Sequence, residues 1–265
     1  MPEISFQDIK RAYALAAKAA PTHTSLCYSG KPVTVRPLKM KDKKEFLKVL
    51  EKDDDVLIDS CIDSLIEKYV SDSKDDPITA ASLVDQERHQ LLMTIRRAST
   101  NEESVNISHV CPQCKTNIRN VTFDLKNVII NNFKKSDGAD DMIVSKNGSI
   151  KFTVGILTRG EMVEIEKFIK SKELASKVEK EFVYLASTVK EIYLVVDDIE
   201  KKISPSVAER VEFVESLSFD DFDKIRNYFD SIGSYGLSLG FAFECPTCKY
   251  KNDKEEAKIV SFFIN

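Results

Sequence analysis

Four of the six cysteines in this 265-residue chain fall into two matching turns, Cys111-Pro112-Gln113-Cys114 and Cys245-Pro246-Thr247-Cys248, each followed by a lysine, Lys115 and Lys249. A Cys-Pro-x-Cys turn lets backbone N–H groups face both thiolates, so the two sulfurs can approach one ion. Two such turns supply four thiolates, the complete tetrahedral set of a closed, structural zinc site. Cys111, Cys114, Cys245 and Cys248 are therefore the candidate metal ligands, and Zn2+ in a structural role is the candidate cofactor. A thioredoxin-like redox pair needs a single CxxC near a βαβ pattern; here there are two, both beside alternating, strand-like sequence. Redox pairs, sites completed by a second chain and a degenerate site without metal are the competing readings.

The stretch between Cys114 and Cys245 is far longer than the loop a compact zinc ribbon closes. Length alone does not forbid the site, because each doubling of a closed loop costs only about 0.6 kcal/mol of chain entropy. Such a site clamps distant parts of the chain together, and four thiolates leave no open position for a catalytic water. Only three histidines are available for acid–base work, and no nucleophile elbow, phosphate loop or HExxH appears. His109, two residues before Cys111, reads as adjacent to a site already filled, and His89 as structural. The carboxylate runs Asp53-Asp54-Asp55 and Asp220, Asp221, Asp223 read as first turns of helices, where negative charge suits the dipole. Cys27 and Cys61 read as small core residues. The expectation is a protein without enzymatic activity.

Composition agrees with a soluble globular chain: 42% hydrophobic and 31% charged residues, with a net charge of −4. Nucleic-acid binding calls for a concentrated positive field, and the sequence offers only local clusters such as Lys39 to Lys44. A zinc-ribbon nucleic-acid-binding or transcription accessory protein is the alternative function, disfavoured by that balance. No apolar run is long enough to span a bilayer, and Met1 to Lys18 lacks the apolar core of a signal peptide. Unpaired thiolates are expected in a reducing compartment.

The elements that must position the two turns follow from periodicity. The fold class expected is α+β: a mainly helical N-terminal region (1–100), a split zinc-ribbon-like β module (101–135 and 233–265) and an inserted mixed α/β region (136–232). Helices are expected at Ile4–Ala20, Met40–Glu51, Val56–Val70 (burying Leu57 and Cys61 among others) and Ser82–Ala98. The N-terminal one is read as packing back on the body. Leu26–Tyr28 and Val33–Val35 are expected as a strand pair about Ser29-Gly30-Lys31-Pro32. Ser104–Val110 and Asn117–Leu125 flank the first turn, and Leu237–Glu244 and Ala257–Ile264 flank the second, as strands. Between them, Lys146-Asn147-Gly148 signals a hairpin. Thr158-x-x-Glu161 has capping-box form and opens a helix to Ser171. A helix from Lys172 to Val189, a strand at Glu191–Val196, and helices opened by Ser204-Pro205 and Ser218 complete the insertion.

The order of several short motifs is distinctive. Val35-Arg36-Pro37-Leu38 comes first, then Ile95-Arg96-Arg97-Ala98-Ser99, the first knuckle, Val121-Thr122-Phe123-Asp124-Leu125, a second knuckle and Phe262-Phe263. In this order the chain, from about Val33 to Phe263, resembles the baseplate hub assembly protein family of T-even-like contractile-tailed bacteriophages. The resemblance implies a non-enzymatic assembly factor or minor structural part of the tail hub. It implies partners among other baseplate hub and tail proteins, with the tape-measure protein as a further candidate, and no membrane. It places the protein in the host cytoplasm during assembly, with the virion tail baseplate as a further location. It carries over no catalytic residue, and the metal assignment rests on cysteine spacing alone.

Overall fold

The computed structural model describes residues 21–100, 102–134, 142–145, 148–196, 199–232, 235–257 and 259–263. The helix expected at Ile4–Ala20 lies outside them, as do Lys146 and Asn147 of the expected hairpin turn. In chain order the elements are β1 (Thr22–Ser25), β2 (Pro32–Val35), α1 (Met40–Leu50), α2 (Asp55–Tyr69), β3 (Val70–Asp72), α3 (Asp85–Ala98), β4 (Ser104–Val110), β5 (Asn117–Asp124) and β6 (Ile129–Asn131). There follow β7 (Met142–Val144), β8 (Ile150–Val154), α4 (Arg159–Ser171), α5 (Lys177–Ala186), β9 (Val189–Val196), β10 (Ile199–Ile203), α6 (Val207–Glu215) and α7 (Phe219–Ser231). Last come β11 (Gly236–Ser238), β12 (Gly240–Glu244) and β13 (Lys251–Glu256), before a 3-10 turn at Ile259–Phe262. The fold is mixed α+β.

The described residues divide into two compact units. The first takes in the described parts of Met1–Thr79, Gln86–Asn131 and Gly236–Asn265; the second takes in Ala80–Asp85 and the described parts of Asn132–Tyr235.

In the first unit, β1, β2 and β3 form an antiparallel sheet in that order. The first strand lies earlier than the expected Leu26–Tyr28. Leu26 and Cys27 sit buried in the turn instead, where the Cys27 N–H donates to Gln90 Oε1 (2.7 Å). Their apolarity marks packing in the turn and carries no strand alternation. Asp54 caps α2, its side chain accepting from the Val56 and Leu57 N–H groups, so the acidic run is a helix start as expected. The buried stripe of α2 is Ile62, Leu65, Ile66 and Tyr69. Leu57 is 42% exposed and Cys61 half-buried, because that stripe begins a turn later than expected.

Helix α3 starts at Asp85, behind a 3-10 turn at Ala80–Ser82, and buries polar as well as apolar residues: Glu87, Arg88, Gln90, Thr94 and Arg96 with Leu91, Leu92, Met93 and Ile95. Each buried polar group named next has a partner, as burial demands. Arg88 is held by Asp63 (2.7 Å) and Asp59 (3.2 Å). Glu87 Oε1 accepts from the Ser29 N–H and hydroxyl (both 2.8 Å), and the Gln90 amide donates to the Ser25 carbonyl (2.7 Å). The buried α3 side chains thus replace the ladder hydrogen bonds that the β1–β2 turn lacks.

The second unit is built on the antiparallel sheet β10-β9-β8-β7. Its core joins Ile143, Phe152, Val154 and Val189 from the sheet to Ala186, Val214, Ile225 and Tyr228 from the helices. A smaller cluster of Ile165, Ile169 and Val183 lies between α4 and α5. Thr158 and Glu161 form the expected capping box at α4. The helix expected from Lys172 begins at Lys177, since Ser176 and Glu179 form a fresh cap and Val189 already belongs to β9. Helix α6 is capped by Ser206 and Glu209 rather than by Ser204. Ser218 caps α7 by accepting from the Asp221 N–H.

Candidate metal centre

The four cysteines sit at the tips of two hairpins, β4–β5 and β12–β13. In each hairpin the first cysteine closes the loop with its own backbone. The Cys111 N–H donates to the Thr116 carbonyl (3.0 Å) and the Lys115 N–H to the Cys111 carbonyl (2.9 Å). The Cys245 N–H donates to the Tyr250 carbonyl (2.8 Å) and the Lys249 N–H to the Cys245 carbonyl (2.9 Å). Lys115 and Lys249 both adopt left-handed backbone, with φ of 60° and 62°. A non-glycine residue there is uncommon, so the same strained turn has been built twice.

The likeness runs further down the strands. Val110 pairs with Asn117, His109 with Ile118 and Ile107 with Val121; Glu244 pairs with Lys251, Phe243 with Asn252 and Phe241 with Glu255. Both ladders slip at the same place, between Ile107 and His109 and between Phe241 and Phe243. A bulge adds twist and bends the strand, and in each hairpin this irregularity stands at the same distance from the first cysteine. The outgoing strand of the second is Lys251–Glu256, not the expected Ala257–Ile264, where a 3-10 turn instead buries Phe262 and Phe263.

These hairpins bring Cys111, Cys114, Cys245 and Cys248 together, with all four sulfurs within 4.8 Å of one another. Across the hairpins Cys111 Sγ stands 3.6 Å from Cys248 Sγ, and Cys114 Sγ stands 3.6 Å from Cys245 Sγ. A disulfide would need about 2.05 Å. A tetrahedron with metal–sulfur bonds of about 2.3 Å has edges of about 3.8 Å. The two cross-hairpin separations lie close to that edge and all four sulfurs fall within 4.8 Å of one another, so the donor set is compatible with a tetrahedral thiophilic ion. Cys111 and Cys245 are fully buried, while Cys114 and Cys248 are half-buried.

The electrostatics show why such a cluster asks for a cation. Hydrogen bonding to the Thr116 hydroxyl (3.2 Å from the sulfur) and then to its backbone brings Cys114 down to about 6. Backbone N–H groups of Cys248 and Thr247 hold Cys245 below the ordinary thiol range against burial. Cys248 goes the other way: the Tyr250 N–H favours its thiolate, but burial and the three other sulfurs together push it up to about 12. One thiolate therefore opposes the next. A dication at the centre would cancel that opposition and let all four ionise.

Among the described residues these four cysteines are the one cluster of potential metal ligands. His109 lies outside it. Its ring packs edge-on against Phe241 (5.3 Å) and Phe243 (4.6 Å), and its buried Nε2 faces Glu255 at 3.7 Å without a hydrogen bond among the described residues. His89 is half-buried on α3. Asp221 is drawn inward, accepting from the Ser218 hydroxyl (2.9 Å) and the Lys224 ammonium (2.7 Å), while Asp220 and Asp223 stay exposed. Asp54 thus caps α2, and Asp220 and Asp221 stand in the first turn of α7 behind the Ser218 cap. Thr116 is the site residue that spacing alone did not reveal, and only its place two residues after Cys114 could have signalled it.

The short motifs whose order is distinctive also converge within the first unit. The Arg96 guanidinium donates to the Phe262 carbonyl (3.0 Å) and pairs with Glu102 (2.7 Å). Phe262 packs edge-on against Phe123 (4.9 Å), and Phe263 against Phe46 (5.3 Å). The Leu38 N–H donates to the Ser99 hydroxyl (2.6 Å). One seam thereby fastens the base of β5 and the last turn to α1 and α3. No helix among the described residues is long and apolar enough to cross a membrane. A family model described as T4 bacteriophage base plate protein matches residues 20–264. Neither the curated proteins nor the solved structures yield a match.

Proposed function

Because the chain belongs to the T4 bacteriophage base plate protein family, we propose that it works in the central hub of the tail baseplate as a non-enzymatic assembly factor or minor structural part. A structural Zn2+ held by Cys111, Cys114, Cys245 and Cys248 fixes its fold. The family membership supports the baseplate role, and the observation that carries the metal assignment is the convergence of four sulfurs, all within 4.8 Å of one another, from two hairpins far apart in sequence. An ion with four protein ligands has no position left for substrate, so its work is to hold the hairpins in register. Residues 136–232 are then an insertion between the ribbon halves 101–135 and 233–265, behind a mainly helical region 1–100. The partners are other baseplate hub and tail proteins, with the tape-measure protein as a further candidate. The protein acts in the host cytoplasm during assembly and in the virion tail baseplate.

Affinity-tagged full-length protein, produced during infection and isolated before lysis, tests the role. Stoichiometric copurification of hub proteins is the expected result. Isolation without any tail protein, together with absence from purified baseplates, would overturn it.

A further inference from the structure

Strand β10 is an edge of its sheet, and all five of its residues are exposed. Its two faces differ. Glu200 and Lys202 lie on a charged face, where Lys151 pairs with Glu200 (2.5 Å) and Lys202 with Glu191. On the other face Ile203 stands opposite Ile192, which packs against the core, and Lys201 opposite Leu194. The helices do not reach the outer part of this face. Ile199 is 63% exposed, Ile203 53% and Leu194 41%. Natural edge strands are usually kept short, bulged, broken by proline, charged or covered, and of these guards β10 carries charge, in Glu200, Lys201 and Lys202. β10 runs in unbroken register with β9 from Ile199 to Ile203 and has no proline.

The sequence Ile199-Glu200-Lys201-Lys202-Ile203 is nearly its own antiparallel complement. We propose that β10 pairs with β10 of a second copy across a two-fold axis at Lys201, joining two four-stranded sheets into one. Backbone geometry selects the register. The Val195 N–H donates to the Ser149 carbonyl on the β8 side (2.9 Å), so its neighbours Leu194 and Val196 turn their groups toward β10, where they oppose Lys201 and Ile199. Bonded pairs alternate along an antiparallel ladder. Ile199, Lys201 and Ile203 therefore bond to β9, while the N–H and C=O groups of Glu200 and Lys202 point outward. Those outward groups can pair only with each other, and the register that uses the whole strand sets Glu200 opposite Lys202 of the partner subunit. The same register sets Ile199 beside Ile203 of the partner subunit and covers both apolar residues. Charge complementarity occurs twice, as a two-fold interface requires. The one unfavourable pair is Lys201 against itself. This interface goes beyond the hub reading and requires neither the metal nor any tail protein.

Sedimentation equilibrium of the full-length, metal-loaded protein tests it. The wild type is expected to form a dimer. Glu200→Lys or Lys202→Glu alone should weaken it by roughly tenfold or more, since each converts two attracting cross-strand pairs into two repelling ones. The double exchange Glu200→Lys with Lys202→Glu should restore it. Lys201→Thr leaves both intrachain ion pairs in place and should tighten the dimer several-fold by removing the central repulsion. It therefore keeps the test open if a charge-reversal variant fails to fold. A monomer up to roughly 100 μM, well above the dissociation constants of specific complexes, would overturn the proposal. So would a dimer indifferent to Lys201→Thr.

Discussion

The two units reach stability by different routes. The second is nearly continuous in sequence, and its helices α4, α5 and α6 each open on a Ser or Thr cap with a glutamate three residues on. Its core is apolar, gathered from strands and helices that follow one another. The first unit is assembled from three separated stretches. Its central helix α3 buries two arginines and a glutamate, and its β hairpins meet through four sulfurs. Contacts between neighbours in sequence close small loops, whereas the first unit closes long ones, at an added chain-entropy cost of about 0.6 kcal/mol per doubling that strong, specific links readily offset. A metal ion and buried charge-assisted hydrogen bonds are links of that kind.

The largest expected effect separates the units. Cys245→Ser removes one ligand from a type of site whose ion contributes about 10–16 kcal/mol in isolated zinc modules. Amide exchange should then lose protection in β4, β5, β12 and β13 while β8 and β9 keep theirs; equal loss in both units would break the contrast. Phe152→Ala should do the reverse. It empties a fully buried site in the second unit and should cost about 3–5 kcal/mol, read by urea unfolding with loss of protection in β8 and β9. Arg88→Leu leaves Asp59 and Asp63 without their cation. Because both carboxylates are partly exposed, the cost should fall at the lower end for a broken buried pair, about 3 kcal/mol, and on the first unit alone.

The smallest effects concern the cap of α4. Thr158→Ala should cost about 1 kcal/mol, measured as a shift in the urea midpoint. Burial raises the affinity of Glu161 for a proton, but Lys190 and the Thr158 N–H outweigh it and hold the carboxyl below its usual range. A folded-state value below the unfolded one contributes stability that is complete above the ordinary carboxylate range and lost as pH falls through the lowered value. Glu161→Gln should therefore flatten the acid side of the second unit's stability profile and leave its neutral side nearly level.

The same contrast explains what could be read from the sequence. Ser104–Val110, the helix at Thr158 and the helix at Ser218 were legible because each carries a local signal: alternation, a capping box, a cap with an acidic first turn. The four cysteines that the structure brings together were legible because their spacing is itself the chemistry. Lys251–Glu256 was not, since Lys-Asn-Asp-Lys-Glu-Glu has neither alternation nor β propensity and becomes a strand only by pairing with β12. Nor was the burial of Arg88 or Arg96, whose partners Asp63 and Phe262 belong to other elements. Gly236 marked a break in the sequence. Its reason is spatial: φ is +93°, and a Cβ there would stand 2.6 Å from the Gln86 side chain.

We propose that a single ion shared by Cys111, Cys114, Cys245 and Cys248 joins the β4–β5 and β12–β13 hairpins of the first unit. Elemental analysis of full-length protein purified under reducing conditions measures this most directly, with native mass spectrometry to fix the stoichiometry. About one zinc per chain is expected, falling to none in Cys245→Ser. A metal content near zero in folded, reduced wild-type protein would contradict it.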